Sequence, residues 1–388
     1  MSSIYDHKHI CLVGNHVNPL GIIRSLGEEG IKPIVLLCSE KKSFVRYSKY
    51  IGELHEFKTF QEGFEYMIKN YANETLMPFV YNGSDDVALL LDNHYEELKD
   101  HFYFSHGQGN LKKYLQKYDI TQLATKCGVK IPKEELLKVG VLPTSLKYPV
   151  ITKAATSAAG GGWKDQTFIC ENEEDLSEAY KKIHTEIILV QEYIRKKNEL
   201  CIDGISINGG EQVFMPYGCS YFHFSPKSFG EYMYFTPVKD QELISKITNI
   251  IRGANYTGIF CVEFLIGPDD ELYFLEVNLR HSGWGYFFTF SGFNLPVRWA
   301  KATLANEIDT SDFYPRNYFT AMSEYEEYQE FVKTNERSIR QWFADIKNTD
   351  VFLYFNSKDN KPFYYFLRRV IGRKLIRTIG LKKENEKN

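Results

Sequence analysis

The chain has 388 residues, 43% of them hydrophobic, which supplies material for more than one buried core and excludes a small scaffold held by staples. Its 47 Lys and Arg against 50 Asp and Glu leave a formal charge of -3, so no global field draws in nucleic acid. Aromatic residues at 15% and charged residues at 25% exclude a chain too polar to offset its ordering entropy.

The first residues, among them Asp6, His7, Lys8 and His9, are polar where a secretory signal needs an apolar stretch, and no apolar run approaches the roughly 20 residues of a membrane span. A cytoplasmic protein is expected. Seven cysteines (Cys11, Cys38, Cys127, Cys170, Cys201, Cys219 and Cys261) are odd in number, widely spaced and without a C-x-x-C pair. They read as buried thiols in a reducing compartment, with no support for a cysteine nucleophile or a zinc site.

In chain order, His9 to Gly14 is a short apolar run, Leu20 to Glu29 has helical spacing closed by Gly30, and Lys32 to Cys38 is a second apolar run. This is a βαβ unit and implies a parallel sheet. Val45 to Tyr71 reads as strand then helix, with Phe64, Met67, Ile68 and Tyr71 on one face. Pro78 to Tyr81 is a strand leading into a helical stretch from Asp85 to Lys99. Lys112 to Cys127 is helical and stops at Gly128, followed by the extended Val129 to Pro132, near which a domain boundary is expected, and from Tyr148 the texture changes. Strands, a glycine cluster, a helix near Glu173 to His184 and further β-rich segments follow, then a helix near Leu295 to Asn306. The remainder from Ile308 has no clear pattern.

The turn after the first strand, Gly14 to Gly21, lacks the glycines that let backbone approach a pyrophosphate, so an NAD-type site there is disfavoured. A stronger constellation lies downstream. Gly258 to Ile266 and Leu272 to Asn278 form a hairpin around Gly267-Pro268-Asp269-Asp270. Glu276 and Asn278 are two apart on one strand and share a face, and pairing across the turn can bring Glu263 to it. Two carboxylates and an amide are hard oxygen donors suited to Mg²⁺ on phosphates rather than to zinc. Arg280, two residues further, can offer a bidentate fork to phosphate or carboxylate.

Val262-Glu263-Phe264 with Phe274-Leu275-Glu276-Val277-Asn278-Leu279-Arg280 resembles the metal-binding signature of the ATP-grasp superfamily, nearest the carbamoyl-phosphate-synthetase-like and carboxylate–amine ligase members. The resemblance implies a Rossmann-like pre-ATP-grasp domain over residues 1–110 and a two-lobed ATP-grasp domain over 111–310. The small lobe would run from about 120 to 190, with nucleotide between the lobes, in a mixed α/β and α+β fold. It further implies a C-terminal extension over 311–388. By the same resemblance, Lys117 and Lys153 contact nucleotide phosphates, and Gly160, Gly161 and Gly162 belong to a loop closing over them, with Lys164 just after. Gln191, Glu192, Tyr193 and Ile194 form the hinge that reads adenine, and Glu199 holds the ribose. Gln191 departs from the family, many of whose members have an acid there, and the glycine loop is unusually rich in alanine.

The cofactors so implied are ATP and Mg²⁺ (or Mn²⁺), held by Glu263, Glu276 and Asn278, with Arg280 steadying an acyl phosphate that an amine attacks, releasing ADP. A bicarbonate-using carboxylase and a nucleotide binder without turnover are the alternatives. Family members place substrate-facing residues in the region matching Tyr217 to Phe235, which here contains His223 and Lys227, although its aromatics read equally as core. Ser84-Asp85-Asp86 reads as a helix cap more readily than as a ligand site at a strand end, and His281-Ser282-Gly283 is a candidate lining of the acceptor site. Small-molecule acid and amine partners are expected, nucleic acid is not, and a homo-oligomer stays open. From Lys361 the tail has nine basic residues against two acidic ones, +7 against -10 for the rest. Its amphipathic spacing fits contact with an anionic membrane or docking on the body of the protein.

Overall fold

The computed structural model describes residues 2–155, 166–224 and 229–371. Gly160, Gly161, Gly162, Lys164, Lys227 and the basic tail beyond residue 371 lie outside them.

The N-terminal sheet contains β1 (His9–Gly14), β2 (Ile34–Cys38), β3 (Glu53–Phe57), β4 (Phe79–Tyr81) and β5 (Tyr103–Phe104) in the order β3-β2-β1-β4-β5, all parallel. Both faces of β1 are covered: Cys11 and Val13 enter one core, Ile10 and Leu12 the other. That is why the strand reads as an unbroken apolar run. Helix α1 (Asn18–Glu28) lies on one face and α2 (Phe60–Tyr71) on the other, the latter started by a capping box between Thr59 and Glu62. Helix α3 (Asp85–Asn93) follows β4.

Two stretches expected as single helices are broken. The helical pattern from Asp85 ends at Asn93 and resumes at Tyr95, and that from Lys112 divides into Leu111–Tyr114 and Lys117–Lys126. The buried Asp92 carboxylate explains the turn leading into the second stretch, since it accepts from the amides of Gly107 (2.7 Å), Gly109 (3.1 Å) and Leu111 (2.8 Å). Lys117 opens the second helix, and its amide donates to the Ala155 carbonyl at 3.0 Å.

The small antiparallel sheet holds β6 (Glu134–Lys138), β7 (Val150–Ala154), β8 (Ile169–Cys170) and β9 (Ile187–Glu192) in the order β6-β9-β7-β8, backed by the helix Glu173–Tyr180. The large sheet is built from β10 (Asn198–Ile207), β11 (Gln212–Tyr221), β12 (Tyr232–Pro237), β13 (Gly258–Ile266), β14 (Leu272–Asn278), β15 (Phe319–Met322) and β16 (Val351–Phe352), ordered β14-β13-β10-β11-β12-β15-β16. The last two strands come from the C-terminal segment, which therefore extends the large sheet. The cysteines in the described residues are free thiols, all buried except the half-buried Cys127.

Helix α1 is sandwiched between the N-terminal sheet and the helices Gly285–Ser291 and Leu295–Ala305, so even Arg24 is fully buried. Arg24 Nε pairs with Asp359 at 3.2 Å, while its other nitrogens donate to the carbonyls of Leu353 and Tyr354 (2.9 Å each) and Asp359 (3.0 Å). Asp359 also accepts from Ser48 Oγ (2.8 Å) and the Lys49 amide (2.9 Å). Removing one partner of a buried pair leaves an uncompensated charge. Arg24→Met is therefore expected to cost about 3–5 kcal/mol in chemical denaturation, and Arg24→Lys, which keeps charge but loses the fork, to recover only part of it.

Candidate active site

The β13–β14 hairpin places Glu263 directly opposite Glu276, with Asn278 opposite Cys261. A bulge between this pair and Phe264–Phe274 adds Leu275 to β14 and leaves the acids in register. Asn278 Nδ2 donates to Glu263 Oε1 at 2.8 Å. Like charges facing across a ladder are unfavourable. Burial, then Glu276 and Glu199, push the Glu263 carboxyl well above its usual range, and Arg280 opposes them. The face is short of positive charge, which is what a divalent cation supplies, and the donor set is oxygen.

Two lysines approach it from the small lobe side. Lys117 Nζ lies 3.8 Å from Glu276 Oε2. Lys153, on β7, donates from Nζ to Gln191 Oε1 at 2.8 Å, and Gln191 passes the link on through Nε2 to Glu134 Oε2 at 2.9 Å. Thr121 Oγ1 closes the chain on Glu134. Burial and the neighbouring Lys117 lower Lys153 to about 8. With a neutral amide as its bonded partner, Lys153 keeps its charge for an incoming anion, which accounts physically for glutamine at position 191. Glu199 is buried and paired with Lys196.

The residues expected to form the hinge begin in β9 and run past its end. The amides of Glu192 and Tyr193 donate to the carbonyls of Lys133 (2.8 Å) and Pro149 (2.9 Å), so both are spent within the small lobe, and Ile194 lies past the strand's end.

Arg280 crosses to the N-terminal domain. Its Nε donates to Asp85 Oδ1 at 2.8 Å and its Nη2 to Asn278 Oδ1 at 2.9 Å. Ser84 caps α3, accepting from the Val87 amide at 3.4 Å, and the adjacent Asp85 is the residue that pairs with Arg280. The next residue, His281, is locked by Asn18, whose Nδ2 donates to the carbonyls of Gly83 (2.9 Å) and His281 (2.8 Å) and whose Oδ1 lies 2.8 Å from His281 Nδ1. Burial lowers His281 to about 3, so the imidazole is neutral and Nδ1 is the donor. Ser282 bonds the buried Asp203, whose carboxyl burial raises to about 6.

Several of these residues carry no signature of their own in sequence. Glu134 and Thr121 are an ordinary acid and hydroxyl until β6 is paired with β9. His16, whose pKa is lowered by burial and by Arg280, and Asn82, a buried amide with no partner for either side-chain atom among the described residues, lie in the loops after β1 and β4. Those loops flank the point where the strand order of the parallel sheet reverses, the usual ligand crevice of such sheets. A polar residue just past a predicted parallel strand is the signal that could have found them.

Comparison with known proteins agrees with this geometry. Residues 112–283 match the family model described as carbamoyl-phosphate synthase L chain, ATP binding domain. A D-aspartate ligase of Enterococcus faecium (strain Aus0004) is 24% identical over 351 residues, covering 84% of this chain and 82% of that protein. The crystal structure of N5-carboxyaminoimidazole synthetase from Staphylococcus aureus superposes with a TM-score of 0.61 at 17% identity, over 85% of each chain. An L-amino acid ligase from Bacillus licheniformis gives 0.62 at 13% identity over 81% of this chain and 79% of that one. The matched segment is thus similar to the ATP-binding domain of carbamoyl-phosphate synthase, and the fold over most of the chain is shared with this synthetase and this ligase.

Proposed function

We propose that the chain is an ATP-dependent, ADP-forming carboxylate–amine ligase. The observation that carries this reading is the face formed by Glu263, Glu276 and Asn278, flanked by Lys117 and Lys153 and closed by an arginine tied to a second domain. A nucleotide binder without turnover has no need for Arg280 to be aimed in this way.

Lys117 and Lys153 would hold the phosphates as compact cations, and Glu199 the ribose. Magnesium or manganese would be held by Glu263, Glu276 and the oxygen of Asn278, and when bound would neutralise phosphate charge. Asn278 Oδ1 is now shared with Arg280, so the amide couples the two positive groups of the site. Asp85 fixes the guanidinium so that its remaining N–H groups can meet the substrate carboxylate and then the acyl phosphate formed when the γ-phosphoryl group moves onto it. Asn82 offers an unpaired buried amide on the same loop for a further polar group of the acid. The amine displaces phosphate from the acyl carbon. Positioning and charge neutralisation supply the acceleration, as in other phosphoryl transfers.

Glu276→Ala and Asn278→Ala are expected to keep the fold by circular dichroism and to abolish ADP release in a screen of amino acids and dipeptides; undiminished turnover by either would sink the assignment. Bicarbonate as the sole acid serves as the carboxylase control. Asp85→Asn frees the arginine while leaving the nucleotide groups intact, so turnover should fall about 10- to 100-fold with little change in KM for ATP. Lys153 must be charged to hold phosphate and its pKa lies near 8 in the free protein. ATP affinity, read by calorimetry, should therefore weaken as pH rises from about 7 to about 9, and Lys153→Met should bind weakly without that pH dependence.

A further inference from the structure

The basic amphipathic stretch that begins at Lys361 forms a helix over 361–371. Its root is fixed, because the preceding Asp359 is held by Arg24, Ser48 Oγ and the Lys49 amide. Pro362, in the first turn, lacks only an N–H that has no acceptor within the helix there. One face of the helix docks on the body of the protein. Phe366 packs against Tyr354, Tyr325 and Phe44 with ring centroids 4.4, 4.9 and 5.4 Å away, and Tyr365 lies 4.2 Å from Tyr47. Arg369 Nη1 donates to the Lys42 carbonyl at 2.7 Å.

The opposite face is apolar as well. At the helical period Tyr364, Leu367 and Ile371 fall on one stripe, and they are 57%, 38% and 51% exposed. Phe355, 39% exposed, meets the side of the helix at Phe363 with centroids 5.5 Å apart. A helix that served only to cover a core would present polar side chains to water here. Lys361 and Arg368 are exposed along the same arc, and Lys41 and Lys42 are exposed in the loop that Arg369 fastens, against the one acid of that loop, Glu40. Arg373, Lys374 and Arg377 follow in the sequence, and from Lys361 on the chain is +7 against -10 before it.

We propose that this face rests on an anionic membrane surface, with Tyr364, Leu367 and Ile371 entering the boundary between headgroups and acyl chains and the basic side chains meeting lipid phosphates. Charge selects the occupant. A second copy related by a two-fold axis would bring the same cations against one another, whereas anionic headgroups complement them. The contact is with the surface, since no helix among the described residues is long and apolar enough to cross a bilayer. The negative charge of the rest of the chain makes the attraction one-sided, so the membrane meets the protein in one orientation.

The test floats the full chain with vesicles of phosphatidylcholine alone or with about one-third phosphatidylglycerol. The wild type should float with the anionic vesicles, remain behind with the neutral ones, and be released as salt rises. Leu367→Gln combined with Ile371→Gln, at positions already in water, should keep the melting temperature and lower the partition coefficient at least about tenfold. Lys361→Gln and Arg368→Gln should each lower it about fivefold, while Tyr314→Ser, at an exposed tyrosine outside this face, should leave it unchanged. Absence of flotation, flotation indifferent to lipid charge, or equal flotation by the wild type and the double glutamine variant overturns the proposal. A wild-type dimer in sedimentation velocity that the double variant dissociates, without flotation, gives the face to a second copy and overturns it too.

Discussion

Two carboxylates facing one another across an antiparallel ladder are an arrangement that a sheet avoids unless something else requires it. Glu263 and Glu276 are so placed, with Glu199 close enough to add to the repulsion. The surrounding structure supplies positive charge without neutralising the pair. Lys117 stands 3.8 Å off, beyond a hydrogen bond, and Lys153 is held by a neutral amide. An ion pair at full contact would satisfy the acids and close the face. Both lysines thus stand beside the acids without closing on them.

Arg280 extends this pattern across a domain boundary. Its guanidinium spans Asn278 on the hairpin and Asp85 at the start of α3, so the geometry of the large sheet is referred to the parallel sheet. Asn18 does the same for the next residue by fastening both backbone and side chain of His281. Fixing the arginine by two partners reduces the reorganisation needed when charge develops beside it, which is where electrostatic acceleration comes from. The candidate site is therefore assembled from both sheets.

The hairpin was legible in sequence because the period of two dictates which side chains share a face, and the E-x-N-x-R spacing has few other uses. The βαβ start was legible because a strand covered on both sides must be apolar throughout. Asp85 was harder, since a serine followed by two acids is how a helix begins, and its pairing with Arg280 joins residues far apart in sequence. Glu134 and Asn82 could not be placed, because their roles exist only through partners distant in sequence: β9 in one case, the reversal of strand order in the other. The turn that starts the helix at Leu111 follows from Asp92, whose carboxylate accepts backbone amides in a way that hydrophobic periodicity does not record.

The C-terminal segment, the least readable part of the sequence, has a structural consequence at the site. Helix α1 carries Asn18 at its first residue, bonded to the Arg280 loop, and Arg24 less than two turns later, buried against Asp359 and the carbonyls of Leu353 and Tyr354. A helix is stiff over that length, so the contact that seats the C-terminal segment also sets where Asn18 presents its amide. Tyr354 bonds Glu326 as well, among the buried acids beside β12. One stretch of chain thus touches both the helix that positions His281 and the buried acids beside β12. Its contribution to the site is geometric, through elements it holds in place, and this is why no motif within it announces that contribution.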